Sequence, residues 1–201
     1  MKITNAAPSV LLVSMTLRQE SSFLLPYLSE IQAKCYGADK GKDLLLLIPL
    51  STPVQAIRVM DELKAFCAPH FSAFNSDFKA QVIGLVSAVK DTQTSLPDNA
   101  YLQVRRIEVP LYRYEEYLAW REKTIFEFVK KTPEIATFLA YHSVLSTTPG
   151  VVFLSGFDGN PDQYLSCFAQ PEYQDIVKVA GERYISGGAN ALSTILYKRI
   201  A

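Results

Sequence analysis

Three polar side chains in the second half of the sequence have the residue types for chemistry: Arg106, Tyr141 and His142. An imidazole that titrates near neutral pH can act as an acid, a base or a ligand. A guanidinium can orient an anionic or phenolic group. Arg106 stands two residues before Glu108, so a strand through both would direct them to one face. We predict that these three residues contact a ligand or catalyse a reaction.

His142 and Arg106 also have structural interpretations. A histidine on a mostly apolar strand can simply be a hydrogen-bonded core or rim residue. Arg106 and Glu108 can form a solvated ion pair at a strand end. The residues alone leave both interpretations open.

The elements that carry these residues form the order β-α-β-β-α-β. Apolar patterns predict strands over residues 101–110, 135–145, 151–157 and 192–200, with helices over 114–131 and from Pro161 onward. This order is typical of a ferredoxin-like unit. Strand alternation places Arg105 and Arg106 on opposite faces, and likewise Tyr141 and His142. On the last strand, one face is shared by Ser193, Ile195, Tyr197 and Arg199.

The first half has the same order with one strand missing. We predict strands over 9–17, 43–50 and 81–90, and a helix that begins near Pro26 and buries Tyr27, Leu28, Ile31 and Cys35. The fold class is therefore α+β: a degenerate ferredoxin-like unit over 1–92 and a complete one over 99–201, packed sheet to sheet as an α/β barrel. The alternative is a single mixed sheet in which the strands of the first half run parallel.

The segment from Asn160-Pro161-Asp162 to Gln170-Pro171-Glu172-Tyr173, together with Trp120 and the pair Phe126 and Phe128, resembles the dimeric α/β-barrel superfamily in its tandem form. The resemblance implies two four-stranded sheets packed face to face within one chain, as in chlorite dismutase-like proteins. It also implies activities such as cofactor-free monooxygenation that forms quinones, haem degradation or haem-dependent chemistry.

The family's functional residues transfer poorly. Haem-degrading members use a histidine on the second helix, whereas residues 161–185 contain none, and His142 is the other candidate in this half. Haem is therefore possible as a cofactor but unsupported, and the cofactor stays unknown. Trp120, Tyr141, Asn190 and Arg106 are of the types that cofactor-free monooxygenases use, but no motif fixes their positions.

Composition excludes several classes of partner. Twenty basic and twenty acidic residues give no net charge, which argues against nucleic acid and anionic membranes as partners. The apolar run 10–15 is interpreted as a strand rather than a signal peptide, and the run 44–50 is too short to span a bilayer. We expect a cytoplasmic protein whose three cysteines are small core residues, and the two histidines give no metal-site spacing.

These observations predict a small-molecule-binding α/β-barrel protein. Its ligand would be apolar or aromatic, and the resemblance implies a monooxygenase-like oxidoreductase that acts on an aromatic or quinol-type compound; whether the chain is an enzyme stays open. The alternative is a non-catalytic interaction or structural module whose barrel is filled by Phe138, Leu139, Phe153 and Leu154. A homodimer through residues 112–117 is compatible with either function.

Overall fold

The computed structural model describes residues 4–18, 22–38, 42–145 and 150–200. The eight strands are β1 (Ser9–Thr16), β2 (Lys34–Ala38), β3 (Asp43–Leu50), β4 (Lys79–Lys90), β5 (Tyr101–Ile107), β6 (Thr137–Leu145), β7 (Val151–Phe157) and β8 (Ser193–Arg199). The six α-helices are α1 (Leu25–Glu30), α2 (Gln55–Cys67), α3 (Tyr114–Lys123), α4 (Ile125–Lys131), α5 (Pro161–Phe168) and α6 (Pro171–Arg183). Among the described residues, no helix is both long and apolar enough to cross a membrane.

The strands form a closed barrel in the order β1-β3-β2-β8-β5-β7-β6-β4, and β4 pairs with β1 to close it. Every pair is antiparallel, including β1 with β3, so the alternative with parallel strands in the first half is wrong. The four strands of each half are adjacent in the barrel and have corresponding orders, β4-β1-β3-β2 and β8-β5-β7-β6. The closed barrel confirms the predicted α+β barrel architecture.

The first half contains a fourth strand that the sequence pattern did not predict. Cys35 lies in β2 and not on the first helix, which ends at Glu30. Gln32 follows with a φ of 54°, a left-handed conformation that a continuing α-helix cannot accommodate. Within β2, Cys35 faces the helices while Tyr36 faces the barrel interior, as strand alternation requires. The first half therefore has four strands, as the second half does, and the prediction that it lacks one is wrong.

Three apolar layers hold the structure together. The innermost fills the middle of the barrel with Leu47, Leu102, Val104, Leu139 and Leu154, all of which are fully buried. One outer layer packs α1 and α2 against the strands of the first half, and the other packs the helices of the second half against β5, β6 and β7. Phe138 and Phe153 belong to this last layer, so they do not fill the barrel as predicted.

The segment between β4 and β5 closes one end of the barrel. Leu96 is buried in the inner layer, and the Tyr36 hydroxyl donates to the carbonyl of Pro97 at 2.9 Å. The backbone N–H of Ala7 donates to the carbonyl of Ser95 at 2.7 Å. The open end of the barrel therefore lies at the opposite side, where β1, β5 and β6 end and β3, β4 and β8 begin.

Candidate functional site

The inward-facing residues change from apolar to polar toward the open end of the barrel, which we call the barrel mouth. On β1 the buried Val10 and Leu12 are followed by Ser14, and Ser14 pairs in register with Lys79 of β4. On β5 the buried Leu102 and Val104 are followed by Arg106. Each strand thus contributes apolar side chains to the barrel core and a polar one to the mouth.

A half-open cavity of about 430 Å³ occupies the barrel mouth. Its walls combine cationic, anionic and neutral polar groups with apolar side chains: Leu12, Ser14, Met15, Thr16, Asp43, Leu44, Ser76, Lys79, Ala80, Gln81, Arg106, Ser193, Ile195 and Tyr197. The Thr16 hydroxyl donates to the Asp43 carboxylate at 2.5 Å, which fixes this acid at the rim. Apolar surface with a few converging polar groups is the usual construction of a small-molecule site.

Arg106 is the predicted site residue that the structure places in this cavity. It lies opposite Ser193 of β8, while Tyr197 of β8 lies deeper in the barrel, opposite Leu102. Burial raises the pKa of Tyr197, and the positive charge of Arg106 opposes that rise. The phenol is therefore protonated at neutral pH and can donate a hydrogen bond, while Arg106 supplies the positive charge. Glu108 follows the end of β5 and is exposed, so it does not lie beside Arg106 inside the barrel.

His142 lies outside the barrel, beneath α3. One ring nitrogen contacts the Tyr114 hydroxyl, and the Arg121 guanidinium donates to the other, Nε2, at 3.2 Å. An arginine can only donate, so Nε2 accepts and Nδ1 carries the proton. Burial, assisted by the Arg121 charge, lowers the pKa of His142 to about 4. The imidazole is neutral near pH 7 and both nitrogens are engaged, which fits a structural role better than a haem ligand.

Tyr141 lies inside the barrel but near its closed end. Its hydroxyl donates to the carbonyl of Ala7 at 3.4 Å, and burial raises the pKa of this phenol. Arg106 at the mouth, Tyr141 at the closed end and His142 outside the wall thus form three separate environments. The prediction that they contact one ligand is not supported by their positions in the barrel.

The other sequence candidates also lie apart. Trp120 packs on Tyr184, with the ring centres 5.0 Å apart, and Asn190 is exposed in a short 3-10 turn after α6. Within the described part of the chain, no group of three or more histidine, cysteine, aspartate or glutamate residues could hold a metal ion. The barrel mouth is therefore the candidate site.

Sequence reasoning missed Lys79, Gln81 and Asp43 as members of this site. The signal available was strand alternation: Gln81 and Ile83 share a face, and Asp43 precedes the inward-facing Leu45 and Leu47 by an even number of residues. Of the four residues expected to share a face of the last strand, Ser193, Ile195 and Tyr197 line the cavity and Arg199 does not.

Comparison with known proteins identifies the fold. No protein-family model matches the chain, and no curated protein matches it in sequence. Among solved structures, a Fusobacterium nucleatum protein provisionally named as a monooxygenase is similar with a TM-score of 0.72 at 12% identity, covering 98% of this chain and 94% of its own. An anthrone oxidase-like protein is similar with a TM-score of 0.67 at 10% identity, covering 99% and 94%.

A third similar structure specifies the fold class. It is an uncharacterized ferredoxin fold protein from Listeria monocytogenes, related to antibiotic biosynthesis monooxygenases, with a TM-score of 0.60 at 6% identity. The alignment covers 98% of this chain and 97% of that one. The resemblance predicted from the second half is thus confirmed at the level of the fold, and it extends over the whole chain.

Proposed function

We propose that this protein binds a small aromatic or quinol-type ligand at the barrel mouth and acts on it as a monooxygenase-like oxidoreductase. The observation that carries the proposal is the cavity of about 430 Å³ with Arg106 in its wall. Ligand pockets usually exceed roughly 300 Å³, so this cavity is large enough for a compound with one to three fused rings. Tyr197 at the inner end can donate to a ligand oxygen, and Leu12 and Ile195 offer apolar surface to the rings.

The charges of the cavity favour an ionised phenol or enol. Arg106 and Lys79 are cations that stabilise a ligand oxyanion, and Asp43 at the rim can accept the proton that such a ligand releases. The anion of a quinol or anthrone is richer in electrons than its neutral form and reacts more readily with dioxygen. A ring methylene, as in anthrone, that is oxidised by dioxygen to a carbonyl releases one water. A quinol that is oxidised to its quinone reduces dioxygen to hydrogen peroxide, and both reactions balance without a bound cofactor.

The names of the similar structures support this class of reaction. Two of those proteins are named for monooxygenases and one for an anthrone oxidase, and each shares the fold over nearly the whole chain. At sequence identities of 6–12%, these similarities support only a common fold for this protein. The chemistry is therefore proposed from the cavity, and the names indicate which ligands to test first.

We further propose that residues 1–92 and 99–201 are two ferredoxin-like units of a tandem barrel. The corresponding strand orders of the two halves support this division. A homodimer would use the turn before α3, where Leu111 and Tyr112 are 89% and 83% exposed. Tyr117 is buried and does not belong to such a surface.

The second candidate is a non-catalytic binding or interaction module. It is favoured by the middle of the barrel, where Leu139 and Leu154 are fully buried in the apolar core. In that case the mouth would bind a ligand without turning it over, or would contact a partner.

A ligand panel distinguishes the two candidates. Melting temperature and absorption spectra are recorded with 1,4-naphthohydroquinone, anthrone and haem, first without oxygen, and oxygen consumption is then measured with each compound. The oxidoreductase proposal predicts thermal stabilisation by a quinol or anthrone and oxygen uptake faster than the uncatalysed rate. Stabilisation without faster uptake favours the non-catalytic module, and no response to any compound contradicts ligand binding of this class.

A further inference from the structure

A second arginine of β5 lies buried between the barrel wall and the helices of the second half. Arg105 is 7% exposed, and its guanidinium lies over the ring of Phe168 at 4.0 Å and near that of Tyr173 at 4.9 Å. It donates a hydrogen bond to the Tyr173 hydroxyl, whereas its Nε has no hydrogen-bond partner among the described residues. No carboxylate in the described part of the chain forms an ion pair with it.

A buried cation without a counter-charge is energetically costly. The faces of the two aromatic rings compensate part of the lost hydration, because their quadrupoles are negative at the face. The nearby Tyr164 phenol offers no negative charge, since burial raises its pKa to about 12 and its hydroxyl donates to Ser155 Oγ at 2.7 Å. Burial lowers the pKa of Arg105 to about 10, so the guanidinium still carries its proton at neutral pH. A full positive charge therefore remains in an apolar layer.

Arg105 also lines a small, partly open cavity of about 30 Å³. The other walls are almost entirely apolar: Ile107, Ile125, Phe138, Phe153, Tyr173, Ile176, Val177, Ala180, Ile185 and Leu192. This volume holds one or two water-sized species. A buried water needs two to four polar partners, and this cavity offers few besides the guanidinium.

We infer that this cavity binds a small monovalent anion, of the size of chloride or nitrate, which pairs with Arg105. Such an anion neutralises the buried charge and accepts a hydrogen bond from the guanidinium. The size of the cavity excludes aromatic ligands. The site is separate from the barrel mouth, because Arg105 and Arg106 face opposite sides of the sheet, and the inference is independent of the proposed oxidoreductase function.

The first test is thermal unfolding at constant ionic strength, with chloride or nitrate replacing gluconate, an anion too large for the cavity. Anion binding predicts that the melting temperature of the wild type rises by about 3 °C or more for each tenfold increase in anion above its Kd. Arg105→Met should lose this rise, and Arg58→Met, which removes an exposed arginine of α2, should keep it. A wild type that does not respond, or an Arg105→Met variant that responds equally, overturns the inference.

The second test does not depend on whether the variant folds. Crystals of the wild type grown in bromide are examined for anomalous scattering. The inference predicts a bromide peak within hydrogen-bond distance of the Arg105 guanidinium. A well-ordered Arg105 without such a peak contradicts it.

Discussion

Arg105 and Arg106 are consecutive residues of β5, and their side chains lie on opposite sides of the barrel wall. Arg105 is buried against Phe168 and Tyr173 in the helix-facing layer. Arg106 lines the cavity at the barrel mouth. Because strand geometry separates them, substitutions at the two positions are expected to affect different properties: anion dependence for the first and ligand affinity for the second.

The three cysteines are expected to differ in reactivity. Burial raises the pKa of Cys35 to about 12 and that of Cys67 to about 11, and both thiols lie in the core of the first half. Cys167 on α5 is half-buried and therefore more accessible. Burial also raises the pKa of Cys167, but alkylation of the native protein followed by mass spectrometry should label it about a hundredfold or more faster than the other two, because those two thiols are buried in the core.

Equal labelling of all three cysteines after unfolding in denaturant is the control for this experiment. Rapid labelling of Cys35 in the native protein would contradict the placement of β2 in the barrel wall.

The lowered pKa of His142 predicts a loss of stability in mild acid. Its pKa is about 4 in the folded protein and near 6.5 when unfolded, so the unfolded chain binds more protons between these values. The stabilisation is complete above about pH 6.5 and is lost as the pH falls toward 4. We expect His142 to account for roughly 1–3 kcal/mol of the free energy of unfolding over this window.

Urea unfolding of the wild type and of His142→Gln, measured between pH 4 and 7, tests this prediction. The variant should show a flatter pH dependence, while His70→Gln, at an exposed position, serves as the control for removing an imidazole. Parallel pH profiles of the wild type and His142→Gln would show that His142 is not the responsible group.

Much of the fold could be predicted because strand alternation is a local signal. The β6 pattern correctly places Tyr141 and His142 on opposite faces: Tyr141 lies in the barrel interior and His142 contacts α3. The β2 strand was missed because Leu28, Ile31 and Cys35 also have helical spacing. The first helix ends before Cys35 because the backbone turns at Gln32. A glutamine side chain does not identify such a turn in the sequence.

The candidate site was predicted less well for a physical reason. Tyr141 and His142 are adjacent, and adjacent strand residues point to opposite faces, so they could not both have lined one cavity. Arg106 lines the candidate cavity because its face of β5 is inward. The other residues of the mouth come from β1, β3, β4 and β8. The antiparallel registers that bring those strands together cannot be deduced from the sequence of any one strand.

The second half is expected to depend on the first for its free sheet edges. In the barrel β8 pairs with β2, and β6 pairs with β4, so removal of the first half exposes two strand edges and the apolar inner face. A fragment of residues 97–201 should therefore dimerise or precipitate. Sedimentation and circular dichroism test this, and a folded, soluble monomer at high micromolar concentration would contradict it.

The central claim is that Arg106 binds the ligand at the barrel mouth. Anaerobic calorimetric titration of 1,4-naphthohydroquinone into the wild type, Arg106→Met and the exposed-surface control Arg58→Met tests it most directly. Loss of a charge-assisted hydrogen bond should raise the Kd of Arg106→Met by about tenfold or more, with the Kd of Arg58→Met unchanged. Equal affinity of the wild type and Arg106→Met would contradict the claim.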